Sequence, residues 1–484
     1  MRKPNTLILV TILLLGGLYL ATLRPGHEWG GDFSLYVAHA RNLAEGRDYA
    51  DTGYIYNPHF PSLSPRTYPP VFPLLLVPVY LTFGLNLMAM KAFLILFFMA
   101  FLWVFSLILR RHLSLPYVVA CLLLVGLNPF CWQHKDRLLS EMPFMLFAYL
   151  ALLLIEKAHE PGRTRLWVWG LATGAIAFLA FGTRTVGVVL VPSLIACELV
   201  RNRRLGSFAL TAVATFSVGV MLEKLLLTLD GSYMDQVKYD LMLCVRVAVT
   251  EIKALALFVD NGYSRVASLA LASCLLVLAG LTCLVRLRSG LRAYDWFVVF
   301  NFLLLAAWPF AEWDQRYQMP VMPFCFLYVC EGLYRLRAMS WGRFVTPVAA
   351  TLGLAILVSY VTRYNRLEAG PFRHGICAPE SVALFDYIKT NTRQDDVFLI
   401  QMPRELALYT GRRASGHHVP PSDEHLVNYL REIGATHVVL CREFTSSRMI
   451  LEPFLERQAD RFDQIYARGQ FVLYRVRQDT LARR

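Results

Sequence analysis

Long apolar runs recur along the first three quarters of this chain and leave it few ways to fold. They lie near residues 6–23, 86–109, 115–130, 142–155, 166–181, 186–200, 208–228, 265–285, 295–310, 318–333 and 344–362, separated mostly by short basic or polar connections. A helix needs roughly 20 apolar residues to cross the hydrocarbon core of a bilayer, and inside lipid every backbone N–H and C=O must find its partner within the protein. The expectation is therefore a polytopic all-α membrane domain of about eleven spans. Composition agrees: 17% of residues are charged, against about 25% in an ordinary soluble domain. The 142–155 and 186–200 runs are short, so they must borrow flanking residues or be covered by neighbouring helices. The first run follows Arg2 and Lys3 like a signal peptide. However, Ala21-Thr22-Leu23-Arg24 is a poor cleavage site, so it is read as a retained span.

The net charge of +13 could suggest nucleic acid, but its distribution points to topology. Alternate loops carry Arg2 and Lys3; Arg110 and Arg111; Lys157, Arg163 and Arg165; Arg201, Arg203 and Arg204; Arg286, Arg288 and Arg292; and Arg335, Arg337 and Arg343. The intervening short loops hold Lys135, Arg137, Arg184 and Arg316. By the positive-inside rule the N-terminus is cytoplasmic, and an odd number of spans puts the tail outside. No nucleic-acid partner is expected. Most of the 10 cysteines lie in apolar runs and read as small buried hydrophobes. Cys377 and Cys441, in the tail, could pair if that side is oxidising.

Two long loops fall on the outer side, near 24–85 and 230–264, and long loops often carry function. The first holds a helix pattern from Ser34 to Glu45 and a Pro-rich passage through Tyr56-Asn57-Pro58 and Ser64 to Pro70. The second mixes apolar residues with Lys238, Arg246 and Lys253, which suits helices lying along a membrane surface. Composition changes after 362. Residues 1–362 form the expected transmembrane domain, and 363–484 a small extracytoplasmic α/β domain. In that domain Ser422 is an expected N-cap, Gly411 and Gly434 are expected C-caps, and Gln464–Tyr466 with Phe471–Tyr474 reads as a hairpin.

Four polar features stand out on the outer side. Trp29-Gly30-Gly31-Asp32 puts a carboxylate just beyond the first span, where Asp32 acts as a general base or metal ligand, or merely caps the following helix. Lys135, Asp136, Arg137 and Glu141 cluster beside Trp132 and His134. Either Lys135 and Arg137 pair internally with the acids or they serve a ligand; Glu141, entering an apolar helix, is harder to explain as structure alone. Arg184 and Arg316 offer donor forks that suit a phosphate or carboxylate, unless neighbours such as Glu312 and Asp314 neutralise Arg316. His417, His418 and His425 lack a fourth ligand at a recognisable spacing and read as a solvated loop.

Taken in order, these pieces resemble a known family. Gly31-Asp32 followed by Ala38-His39-Ala40-Arg41-Asn42-Leu43, Tyr68-Pro69-Pro70-Val71-Phe72-Pro73, Ser140-Glu141, Thr183-Arg184, Arg316-Tyr317-Gln318-Met319-Pro320 and Leu408-Tyr409-Thr410-Gly411-Arg412 are similar to the GT-C glycosyltransferases. The similarity is to the bacterial branch containing protein O-mannosyltransferases and the lipid A aminoarabinose transferase. It implies an integral protein of the bacterial inner membrane that transfers a sugar, with inversion, from a polyprenyl-phosphate-linked donor to an acceptor at the outer face. Asp32 takes the position of the family's essential carboxylate, and Glu141 or Asp136 are candidates for a second one. Arg184, Arg316 and Lys135 would hold the donor phosphate, while Tyr68 and Tyr317 would shape the cavity. A divalent cation, held by Asp32 if by anything, is the one cofactor left open, because Gly31 and Phe33 stand where many relatives carry another acid. The tail would bind acceptor or brace the loops rather than perform chemistry. The competing readings are a transporter or flippase of a lipid-linked sugar, and a non-enzymatic membrane scaffold.

Overall fold

The structure is a computed structural model, and it describes residues 3–61, 63–227, 240–308, 315–339, 342–420 and 422–477. Lys238, Glu312 and Asp314, singled out above, lie outside these residues. The chain divides into two compact units. One draws on Met1–Leu23, Met90–Leu226 and Gln236–Ala369, and the other mainly on Arg24–Ala89 and Gly370–Arg484.

The first unit is helical. Among the described residues six segments are long and apolar enough to cross a membrane: Leu87–Leu109, Leu166–Thr183, Thr185–Asn202, Ser207–Leu226, Arg265–Ser289 and Gly342–Tyr364. Shorter apolar helices include Asn5–Ala21, Leu115–Gly126 and Ala293–Ala306. Large aliphatic side chains such as Leu14, Leu225 and Leu354 stand exposed on these helices, as expected where the solvent is lipid rather than water. The short 142–155 run has the second solution anticipated for it. It forms Glu141–Ala158, whose Phe144, Ala148, Tyr149, Leu152 and Ile155 are buried by neighbours. The other short run gains length from a 3-10 turn, Thr185–Val189, leading into Leu190–Asn202.

Helix contacts here depend on small residues. Gly170 and Gly174 lie one turn apart on Leu166–Thr183, and a Cβ on either would fall 2.5 Å from the Phe208 carbonyl oxygen or 2.3 Å from that of Ala212. The Ser207–Leu226 helix therefore packs backbone to backbone against this face, as small-xxx-small pairs allow in membranes.

Residues of the basic loops pair with acids from the loops and from neighbouring helix segments. Glu160 takes Arg111 and Arg163, Glu156 takes Arg201 and Arg292 at 3.0 and 3.1 Å, and Glu331 takes Arg286 and Arg335.

The second unit contains a six-stranded mixed sheet built from β1 (Tyr54–Ile55), β2 (Val397–Leu399), β3 (Arg413–Ser415), β4 (His437–Cys441), β5 (Phe462–Arg468) and β6 (Phe471–Val476), in the order β1-β3-β2-β4-β6-β5. The first four are joined in parallel, β6 is antiparallel to β4, and β5–β6 is the expected hairpin. Two apolar clusters cover the sheet, one around Leu426, Leu430, Val438 and Leu440, the other around Leu384, Ile388, Phe398 and Leu473. The expected caps are present. Ser422 Oγ accepts from the His425 N–H, Gly411 takes the left-handed conformation at φ +71°, and Gly434 does so at φ +66° just past its helix. Cys377 and Cys441 are both free thiols. Strand β1 was not anticipated: two residues of the Pro-rich first loop pair with β3 of the tail, Tyr54 opposite Ala414 and Ile55 opposite Ser415.

Candidate active site

In the second unit the Asp32 carboxylate is held by two side chains. Asp32 is the first residue of the Asp32–Glu45 helix, and Gly31 occupies the N-cap position without a side-chain cap. The Tyr68 hydroxyl donates to Asp32 Oδ1 at 2.7 Å, and Arg404 Nη1 donates to the same oxygen at 3.2 Å and to the Tyr68 oxygen at 3.2 Å. Burial, and then the Asp32 charge, push the Tyr68 hydroxyl well above the ordinary tyrosine range; it remains a donor at physiological pH. Burial opposes the charge on Arg404, but Tyr68 and Asp32 outweigh it and hold the guanidinium above the usual arginine range.

The second glycine of the motif, Gly31, follows from this packing. A Cβ on Gly31 would fall 2.0 Å from Arg404 Nη2 and 2.5 Å from its Cζ, so the guanidinium lies against bare backbone. Trp29 fixes the start of the motif in the tail: its Nε1 donates to Glu443 at 3.1 Å, and its ring meets Phe385, Phe444 and Phe471 edge-on. Tyr68 is stacked on Tyr36 at 4.6 Å.

Arg404 was not expected in this role. The tail was assigned no part in the chemistry, yet its Pro403–Thr410 helix delivers this guanidinium from 372 residues away. The next residue, Glu405, is fully buried, and neither carboxylate oxygen makes a hydrogen bond to another described residue. Burial raises its pKa, and the attraction of Arg404 only partly offsets this. The one available signal was a charged pair, Arg404-Glu405, opening a helix at a proline.

A divalent cation does not fit at Asp32. Its Oδ1 is already shared by a hydroxyl donor and a guanidinium, and Asp32 belongs to no described group of three ligating side chains. Oxygen-loving cations need several such donors and repel a neighbouring positive charge.

In the first unit Glu141 opens the Glu141–Ala158 helix and is buried. Arg184 Nη1 donates to Glu141 Oε1 and, at 3.3 Å, to Ser140 Oγ, while Arg316 Nε lies 3.6 Å from the same Glu141 oxygen. The Tyr317 ring sits beneath both guanidinium groups, with centroids 5.4 and 5.6 Å from Arg184 Cζ and Arg316 Cζ. Two guanidinium groups thus meet one buried carboxylate, on side chains only 12% and 16% exposed. Lys135 takes the internal option foreseen for it. Its Nζ is 2.6 Å from Asp136, both are buried, and the ammonium lies 3.5 Å over the Trp132 ring.

His417 and His418 are also unlike the expectation of a solvated loop, for both are buried; His418 lies 3.2 Å from His425, and both rings face His59 of the first loop.

Comparison with solved structures identifies the fold. ArnT from Cupriavidus metallidurans bound to undecaprenyl phosphate superposes with a TM-score of 0.55 at 15% identity, over 97% of each chain. The chain has the GT-C fold. The Archaeoglobus fulgidus oligosaccharyltransferase tethered to an acceptor peptide gives 0.58 at 10% identity, covering 99% of this chain and 75% of that one. The arabinofuranosyltransferase AftD from Mycobacteria gives 0.56 at 13% identity, over 98% and 41%. No family model and no curated protein matches the sequence.

Proposed function

We propose that this GT-C chain is a membrane glycosyltransferase that moves a sugar from a polyprenyl-phosphate-linked donor to an acceptor at the extracytoplasmic face. The observation that carries the reading is the Asp32 carboxylate, aimed by Tyr68 and Arg404 in a fold shared with an enzyme solved with undecaprenyl phosphate. The acceptor hydroxyl or amine attacks the anomeric carbon, its proton passes to Asp32, and the bond from that carbon to the phosphate oxygen breaks. One displacement inverts the anomeric centre. Arg184 and Arg316 receive the charge growing on the departing polyprenyl phosphate, the guanidinium fork being suited to a phosphate. Glu141 serves by holding the two guanidinium groups, and Tyr317 by supporting them. The acceptor's identity is left to experiment.

The same proposal includes about eleven spans, some of them among the shorter apolar helices. It places the chain in the bacterial inner membrane with a cytoplasmic N-terminus. Residues 363–484 then lie outside as the α/β part, next in sequence to a transmembrane domain over 1–362.

The test is transfer from radiolabelled polyprenyl-phosphate sugars to extracted envelope acceptors by purified protein in lipid. Asp32→Asn keeps the shape and removes the base, so turnover is expected to fall about 10²- to 10⁴-fold. Arg184→Gln and Arg316→Gln are expected to act on use of the donor. Equal turnover by Asp32→Asn, or transport of an unaltered donor without transfer, rejects the reading.

A further inference from the structure

Three imidazoles from distant parts of the chain converge in the second unit, and neither the sugar-transfer reading nor the fold assigns them a role. His59, His418 and His425 each offer a ring nitrogen, and these atoms all lie within 4.8 Å of one another. His418 Nε2 and His425 Nδ1 are 3.2 Å apart. Zinc bonds imidazole nitrogen at 2.0–2.1 Å in a tetrahedron, which sets neighbouring ligand nitrogens about 3.3 Å apart. The His59 ring stands 4.9 Å from that of His418 and 4.7 Å from that of His425.

Each histidine is positioned by the fold. Asn57 Oδ1 accepts the His59 N–H at 2.8 Å, while Asn57 Nδ2 donates to the Gly416 carbonyl at 2.7 Å, so one buried amide ties the His59 turn to the segment entering His418. The β1–β3 pairing just upstream fixes the register of both segments. His425 sits in the first turn of the Asp423–Glu432 helix, where its N–H meets the capping Ser422 Oγ. The Tyr429 ring flanks the group, 5.6 Å from His59 and 5.4 Å from His418.

We propose that His59, His418 and His425 bind one transition-metal ion of the zinc type, clamping the first outer loop to the tail. An all-imidazole set favours zinc, cobalt, nickel or copper over magnesium or calcium, which take oxygen ligands. His418 is buried, His425 half-buried and His59 exposed. The fourth coordination position therefore opens to solvent on the His59 side and takes water or an anionic group. Binding through His418 Nε2 puts that ring's proton on Nδ1, 3.3 Å from Asn57 Nδ2; two donors then face each other, so metal uptake requires the Asn57 side chain that joins the two loops to reorient. The site shares no residue with the Asp32 cluster and does not depend on the proposed glycosyl transfer.

The experiment uses the full chain in detergent, stripped with chelator and titrated with Co2+ alone, then with Zn2+. The expected result is one Co2+ per chain with the intense visible absorption of a low-coordinate site, displaced by Zn2+, together with a rise in Tm on zinc addition. His59→Gln is the decisive variant, because an exposed residue can be replaced without disturbing the core. It and His425→Gln are expected to weaken binding at least about tenfold, while His374→Gln, on an exposed residue outside the group, leaves it unchanged. Absence of the Co2+ band, or uptake equal in wild type, His59→Gln and His425→Gln, overturns the site and leaves the three rings as packing only.

Discussion

At Asp32 the decisive contact is with Arg404, a nearly buried guanidinium whose charge has two partners and whose flat face lies on Gly31. Removing one member of a buried ion pair strands the other, at a cost of about 3–5 kcal/mol. The partly solvated Asp32, with 19% of its side chain exposed, puts this case at the lower end, about 3 kcal/mol. Arg404→Ala is expected to lower both Tm and turnover. Arg404→Lys keeps the charge but loses the fork, and is expected to recover stability better than turnover; identical losses in thermal melts and transfer assays would remove Arg404 from the catalytic arrangement. Glu405 gives a pH-dependent counterpart. Its pKa is raised in the folded chain by burial, so the stability of the protonated form is fully present below the ordinary glutamate value and is lost as pH rises toward and through the raised one. Glu405→Gln is expected to flatten that decline, measured as Tm against pH from 4 upward.

The helices show how far local pattern reaches. Apolar runs were enough to locate Leu87–Leu109, Arg265–Ser289 and Gly342–Tyr364, because an unbroken stretch of lipid-soluble side chains has one economical backbone solution. They were not enough to show which helix the Gly170 and Gly174 face would meet. That face carries Ser207–Leu226 at backbone contact, so Gly174→Leu has no room and must push the helices apart. We expect a drop in Tm of several degrees, with the Asp32 cluster left in place; a neutral melt in detergent and lipid would show the contact to be dispensable. The two-residue strand β1 has a related origin. Tyr54–Ile55 is too short to announce itself by alternation and exists through its partner β3.

For the whole molecule, the proposed topology has a direct test in a thiol that the fold leaves accessible. Cys377 is exposed and Cys441 buried. A membrane-impermeant maleimide added to intact spheroplasts is expected to label a Cys244→Ser chain, and the further change Cys377→Ser to abolish that labelling. Labelling of Cys377 only after lysis would place the tail in the cytoplasm and remove the outer-face reaction. The sequence alone determined that the chain belongs in lipid, where its helices run and that Asp32, Glu141, Arg184 and Arg316 were worth attention. Each of these depends on summed solvation along the chain, or on an ionisable group set in apolar surroundings. Tertiary structure alone decided that Arg404 grips Asp32, that Lys135 pairs with Asp136, and that His59 meets His418 and His425. Partners hundreds of residues apart are chosen by packing and by the pairing of β1 with β3, and no local periodicity records that choice.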